Sequence, residues 1–356
     1  MIAYDERKGV TVKRRPKGRK EGLDMHSQLL CDKVTVYPLE LPTPLPVGPV
    51  NAHLLYGMGQ CLLVDCGPRY DPAWDALVAG LAQYALTPAD VTGIVLTHGH
   101  VDHVGNTRRF QAQGVPVYSH PRVSDWLDPG GAHDAYRAEF YRRLYHDMGV
   151  PQEVAARALQ GILSFHRWND RSVVTHPLRA GEPLPPLPQF QVLEVPGHAQ
   201  AAIALWNRES GELLAGDQLL PHISPNPIIE PLPGAASGTV AERSRSLLDY
   251  RRSLQDLAQL PIIKTYPGHG RVIVDSVPLI HRRLHELEVR KHNVLQCLRR
   301  QSPITAYELA RLLFPKHTDQ VSLILSETLG YLDWLHEEGL AYGFPDEQGV
   351  CQWVCA

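Results

Sequence analysis

Between Leu96 and Asn106 the chain reads LTHGHVDHVGN, which places His98, His100, Asp102 and His103 within six consecutive positions. An imidazole nitrogen or carboxylate oxygen withdrawn from water without a partner costs roughly 1–3 kcal/mol. Four such groups on one turn are therefore expensive unless they share a ligand, and a cation is the ligand they share best. Three later stretches repeat the arrangement. EVPGHA presents His198, LAGDQ presents Asp217 and TYPGHG presents His269, each after an apolar strand-like run and beside glycine. Glycine there lets the backbone approach a neighbour closely.

Neutral imidazoles and carboxylates suit zinc, and by ligand softness they also suit iron or manganese. Five histidines and two aspartates are too many for one tetrahedral ion and suit two ions that share a carboxylate. Two ions about 3.5–4 Å apart generate a nucleophile from water near neutral pH and clamp the attacking and leaving oxygens. The residues thus predict a dinuclear hydrolytic centre working through a metal-bridging hydroxide. Asp102 and Asp217 are the candidates to carry a proton to the leaving group.

THGHVDHVG resembles the T-H-x-H-x-D-H signature of the metallo-β-lactamase superfamily, and His198, Asp217 and His269 follow in that family's order. The resemblance spans roughly residues 33 to 285. It implies an α/β fold, a four-layer αββα sandwich with the site at one edge of two facing sheets. It also implies that His98, His100 and His198 bind a first divalent ion. Asp102, His103 and His269 would bind a second, with Asp217 bridging. Asp65, in LLVDCG, matches an early strand whose aspartate orients the metal loop.

Two departures narrow the class. Two-metal β-lactamases usually carry Cys where Asp217 stands, and flavin-linked di-iron oxidoreductases carry Glu where His100 stands. The full ligand set resembles glyoxalase II-like thioesterases, lactonases and the nuclease and phosphodiesterase branches. The leading expectation is a hydrolase of a small ester or thioester. The alternatives are a phosphodiesterase or ribonuclease of the same superfamily, and a metal-binding sensor whose C-terminal domain reads DNA.

The elements that must position these residues are legible in outline. With 356 residues, 44% hydrophobic and 21% charged, the chain can bury a sizeable core, and its net charge of -3 offers no global attraction to nucleic acid or anionic membrane. Six scattered cysteines without a C-x-x-C pair point to reduced thiols and a cytoplasmic setting. Residues 1–27 are basic and polar without an apolar signal core and read as a disordered tail; Met25 is an alternative start. A metallo-β-lactamase-like domain is expected over 28–285 and a small winged-helix domain over 286–356. QCLLVDCGP and VTGIVLTHGH read as buried strands, and DPAWDALVAGLAQYAL as a helix with Asp71 as N-cap and Pro72 in its first turn.

A Tyr-, Arg- and His-rich helical insertion occupies about 121–180 and is expected to lie over the metals as a lid. Its aromatics, among them Tyr136, are accounted for mainly by core packing, while Arg137 is a candidate to grip a substrate carboxylate or phosphate. His222, five residues past Asp217 on a Pro-rich run, is a further substrate candidate. In the C-terminal segment Glu327, Asp333, Glu337 and Glu338 would repel phosphates from the third helix. Its apolar LILSETLGYLDWL face suggests packing or homo-oligomerisation, with a small molecule as substrate and no membrane partner.

Overall fold

The computed structural model describes residues 33–232 and 243–356. The basic tail, Met25 and Cys31 lie outside the described residues. Two six-stranded sheets form the centre of the molecule. The first contains β1 (Thr35–Leu41), β2 (Val50–Gly57), β3 (Gln60–Val64), β4 (Gly93–Leu96), β5 (Val117–Ser119) and β6 (His176–Pro177), in that order. β1 to β3 are antiparallel, and β3 to β6 are parallel. The second contains β7 (Pro183–Leu184), β8 (Leu187–Glu194), β9 (Ile203–Asn207), β10 (Glu212–Gly216), β11 (Lys264–Pro267) and β12 (Ile273–Val274). There the order runs from β12 to β7, with β10 and β11 parallel.

Strand alternation explains the layering. Successive side chains point to opposite faces, so a strand covered on both sides is apolar throughout yet serves two cores. Leu55, Leu62 and Val95 face Val192, Leu205 and Leu214 in the core between the sheets. Their neighbours Leu54, Leu63 and Ile94 point the other way, onto Leu77 and Leu81 of α1 (Asp71–Ala82). On the far side, Ala204, Trp206 and Leu213 meet helices α6 (Ser246–Ala258) and α7 (Ser276–Arg300). The result is helix, sheet, sheet, helix. One detail differs from the sequence expectation: Tyr70, not Asp71, is the N-cap of α1. Asp71 is the first helical residue, and its carboxylate takes Arg109 Nη2 at 3.0 Å instead of capping.

Short helices α2 (Val101–Val104) and α3 (Thr107–Gln111) follow β4. The insertion supplies a 3₁₀ turn at Pro121–Trp126, α4 (Ala132–Asp147) and α5 (Gln152–Ser164). Phe140, Tyr141, Leu144 and Tyr145 of α4 are buried in the same apolar cluster as the C-terminal elements. Those elements are β13 (Ile304–Thr305), α8 (Ala306–Leu313), α9 (Val321–Glu337), β14 (Ala341–Pro345) and β15 (Cys351–Cys355), the three strands pairing in the order β13-β15-β14. Among the described residues no helix is long and apolar enough to cross a membrane, and Cys61, Cys66, Cys297, Cys351 and Cys355 are free thiols.

α9 corrects one expectation. Its acidic residues are not a free repulsive face, because each is met by a base from an adjoining element. Glu327 pairs with Arg290 at 2.8 Å, Asp333 with Arg243 at 2.5 Å, Glu337 with Arg245 at 3.7 Å and Glu338 with Lys291 at 2.6 Å. Ile324, Leu325, Leu329, Leu332 and Leu335 are buried within this chain, so the helix is held by an apolar face and a ring of ion pairs. Of these pairs only Arg243–Asp333 is bidentate and mostly buried, with side-chain exposures of 27% and 6%. Removing one partner of such a pair strands the other's charge. Asp333→Ala is therefore expected to lower unfolding stability by about 2–3 kcal/mol, read as a lower urea midpoint. An unchanged midpoint would show that the apolar face alone holds α9.

Candidate metal centre

Five strand ends converge at one edge of the sandwich. β3 delivers Asp65, β4 delivers Thr97 and His98, β8 leads to His198, β10 ends at Asp217 and β11 at His269. The loop after β4 turns into α2 with His100 as its N-cap, so Asp102 and His103 lie on the first helical turn. The sheets are tied together at this edge. Ile203 N–H donates to Thr97 O at 2.8 Å and Asn51 N–H to Gly268 O at 2.7 Å. The Asn51 side-chain amide donates to the carbonyls of Pro267 and Gly270 at 3.0 and 2.7 Å. Gly268 is required by the approach itself, because a Cβ there would strike Asp217 Oδ1 and lie 2.8 Å from His103 Cε1.

Four of the five rings are fixed by an oxygen on Nδ1. His103 Nδ1 lies 2.8 Å from Asp65 Oδ2, His198 Nδ1 2.9 Å from Asn226 O and His269 Nδ1 2.7 Å from Pro49 O. His98 Nδ1 lies 3.0 Å from Thr97 Oγ1, whose hydrogen is donated to Asp65 Oδ2 at 2.8 Å and which must therefore accept from the ring. Each of these histidines places a proton on Nδ1 and turns Nε2 inward; burial keeps His98 and His198 neutral with a bare lone pair there, while neighbouring carboxylates draw His103 and His269 above their ordinary values. His100 reverses the arrangement. Its Nδ1 lies 3.0 Å from both His98 Nε2 and His198 Nε2.

The inward atoms fall into groups that suit metal ions. His98, His100 and His198 form one, Asp102, His103 and His269 a second, and Asp217 with His98 and His103 joins them. Asp217 Oδ1 lies 3.4 Å from His103 Nε2, and its Oδ2 lies 3.5 Å from both His198 Nε2 and His269 Nε2. Buried polar atoms ordinarily have a partner. Here His103 Nε2, Asp217 Oδ1 and His269 Nε2 have no hydrogen-bond partner, although all three residues are buried. A ring nitrogen facing a carboxylate oxygen at this distance needs a proton or a cation between them, and the same carboxylates draw His103 and His269 above their ordinary values. The residues present therefore fit divalent cations.

The charge balance agrees. Burial pushes His98 well below its ordinary value, and the charge of His103 adds to this. Burial and the neighbouring His198 bring His100 down to about 3. Both rings are held neutral, the form that binds metal. Burial alone would raise the Asp217 carboxyl, but His103 and His269 hold it well below the usual carboxylate range. His103 is pulled well above its ordinary value against burial by Asp217, Asp65 and Asp102. Three carboxylates around one ring thus demand positive charge, which bound metal ions would supply in its place.

Asp65 sits beneath the loop at φ 60°, a left-handed conformation that Asp tolerates better than most residues. Its Oδ1 accepts the Thr97 N–H at 2.8 Å, and its Oδ2 takes Thr97 Oγ1 and His103. The other candidates lie outside this cluster. His222 is exposed, its ring beside Gly270. Tyr136 Oη donates to Leu232 O at 3.4 Å. Arg137 is buried, with its guanidinium 3.8 Å above the Trp126 ring and Nη1 donating to Asp134 Oδ1 at 3.3 Å. Sequence reasoning missed Trp126, which covers the loop. It lies 5.5 Å from the His100 ring, and a Cβ on Gly99 would run into it. The acceptor Asn226 was missed too, since a backbone carbonyl has no side-chain signature.

This arrangement defines a class, and comparison with known proteins agrees with it. The family model of the metallo-beta-lactamase superfamily matches residues 45–269, and the chain belongs to that superfamily. It is 34% identical to "Probable metallo-hydrolase YqjP" of Bacillus subtilis, the match covering 85% of this chain and 92% of that protein. It is similar to the solved metallo-beta-lactamase family protein TTHA1429 of Thermus thermophilus. There the TM-score is 0.74 at 31% identity, over 90% of this chain and 98% of the other. A beta-lactamase domain protein of Burkholderia ambifaria shares the fold at a TM-score of 0.74 and 21% identity, covering 90% of this chain and 92% of that one.

The oxygen partners give a direct prediction. Asp65→Asn keeps the shape but removes the anion that orients Thr97 and His103. Metal affinity should fall about 10- to 100-fold, measured by competition with a chromophoric chelator. Unchanged affinity would mean that the loop holds its own geometry.

Proposed function

We propose that this chain is a two-metal hydrolase acting on a small ester or thioester. His98, His100 and His198 would hold one ion, Asp102, His103 and His269 the other, and Asp217 would touch both. The observation that carries this reading is the set of buried, inward-facing atoms left without a partner, His103 Nε2, Asp217 Oδ1 and His269 Nε2. The nitrogen and oxygen donors favour zinc, and iron and manganese accept the same set. When bound, two such ions generate a nucleophile from water near neutral pH and polarise an acyl oxygen.

The protein's own contribution is positioning and proton transfer. Asp65, Thr97 and the carbonyls of Asn226 and Pro49 hold the ligating rings by their outer nitrogens. Asp102 Oδ2 lies 3.4 Å from His269 Nε2, and Asp102 and Asp217 are the carboxylates placed to take a proton and pass it to the leaving group. Trp126 walls the loop on the side of the insertion and limits the approach of water there. That wall is what supports a lid role for the insertion.

A small substrate fits better than a polymer. The C-terminal order β13, α8, α9 and the β14–β15 hairpin is that of a winged helix, and we read it so. Its third helix, however, is buried and ion-paired, which argues for packing over entry into a nucleic-acid groove. α9 also has a nearer task. Its Ser326 hydroxyl accepts the Ile229 N–H at 2.7 Å, and Asn226 Nδ2 donates to Leu323 O at 2.9 Å, so the helix fixes the run that holds His198.

Thiol release from glutathione- and coenzyme A-linked acyl thioesters tests the reading. Zinc-loaded protein should release thiol. Asp217→Ala should lose a metal equivalent and slow turnover on the order of a thousandfold. Activity retained in Asp217→Ala would overturn the two-metal mechanism. No release with two metals bound would move the assignment to lactones or phosphodiesters.

A further inference from the structure

Across Trp126 from the metal loop lies a small pocket lined by Arg122, Asp125, Trp126, His133, Arg137 and Glu230 among others. Trp126 joins the two. Its ring lies edge-on to His100 at 5.5 Å and carries the Arg137 guanidinium at 3.8 Å. The His100 ring and this cation are therefore separated by about those two distances laid end to end, the reach of a short acyl chain.

The hydrogen-bonding groups of the pocket do not balance among themselves. Asp134, just behind Arg137, is fully engaged: its Oδ1 takes Arg137 Nη1 at 3.3 Å, and its Oδ2 takes His166 Nε2 at 2.9 Å and the Gly130 N–H at 2.7 Å. Asp125 Oδ2 faces His133 Nδ1 at 4.0 Å and is half exposed to water. Glu230, 3% exposed, accepts the Gln200 N–H at 3.1 Å. The donors are less well served. Arg137 is 9% exposed, and its Nε is buried without a partner. Arg122 is half-buried and makes no ion pair among the described residues. A buried guanidinium N–H left unpaired is costly, and a planar carboxylate is the group it matches best.

We propose that this pocket receives a carboxylate at the far end of the acyl group, gripped by Arg137 Nε and the Arg122 guanidinium, so that the enzyme selects short dicarboxylic acyl substrates. The proposal rests on the ester or thioester reading above and adds the charge of the acyl group to it. Glu230 and Asp125 also face the pocket, so the opposite preference, for a cationic acyl group, is the outcome that would contradict it.

The test uses three thioesters of N-acetylcysteamine, a leaving thiol without charge: pentanoyl, glutaryl and 4-(trimethylammonio)butanoyl. Zinc-loaded protein should favour glutaryl over pentanoyl by about tenfold in kcat/KM, with the cationic substrate poorest. In Arg122→Gln and in Arg137→Lys the glutaryl-to-pentanoyl ratio should fall toward one; the lysine variant keeps the charge, so a loss there reports the guanidinium geometry. Equal rates for glutaryl and pentanoyl, preference for the cation, or a glutaryl preference that survives both substitutions overturns the proposal. If none of the three is cleaved, the thioester reading fails on its own. The pocket is then decided by calorimetric titration of the same zinc-loaded protein with glutarate and pentanoate. Both acids can reach the metals through one carboxylate, so glutarate binding about tenfold tighter, and losing that advantage in Arg122→Gln, supports the pocket. Equal affinities refute it.

Discussion

The structure turns on a single carboxylate. Asp65 takes the Thr97 backbone, the Thr97 hydroxyl and the His103 ring onto its two oxygens. Through the hydroxyl it also sets the orientation of His98. One buried anion thereby fixes the direction of two lone pairs that would otherwise rotate freely. In a low-dielectric interior such a network is strong when complete and expensive when one member is lost. The chain reaches this point through a left-handed residue at the end of β3, with Asp65 N–H on Val95 O and Cys66 N–H on His103 O. The backbone bends where it does so that this carboxylate comes up beneath the loop.

The other half of the centre comes from the second sheet. β10 and β11 run parallel, so their ends lie side by side and present Asp217 and His269 as neighbours. Gly268 lets the two chains close up, and the Asn51 amide staples this edge to the first sheet. His198 hangs on a carbonyl from the run 221–232, and that run hangs on α9. The C-terminal elements are thus joined to the metal centre through two hydrogen-bonded steps, a connection that shared packing with α4 reinforces.

Much of this was legible beforehand, and the reason is physical. The candidate ligands His98, His198, Asp217 and His269 each follow a buried strand and stand beside glycine, so these motifs carry both chemistry and position in a few letters. What stayed hidden depends on contacts between distant segments. Trp126 looks like any aromatic in a polar stretch until it is seen lying on Gly99 and His100. The acids of α9 read as repulsive because their partners, Arg243, Arg245, Arg290 and Lys291, lie elsewhere in the chain. Asp71 looked like a cap because its alternative partner, Arg109, is 38 residues away.

The link from α9 to His198 bears on how the protein is made. His98, His100, Asp102 and His103 leave the ribosome early, followed at long intervals by His198, Asp217 and His269. Even then, the run carrying Asn226 lacks its support until Leu323 and Ser326 have been synthesised. Until then a nascent chain carries the earlier His and Asp side chains without the support that α9 gives to His198. The run that holds His198 reaches its finished geometry only once α9 has been made and has docked.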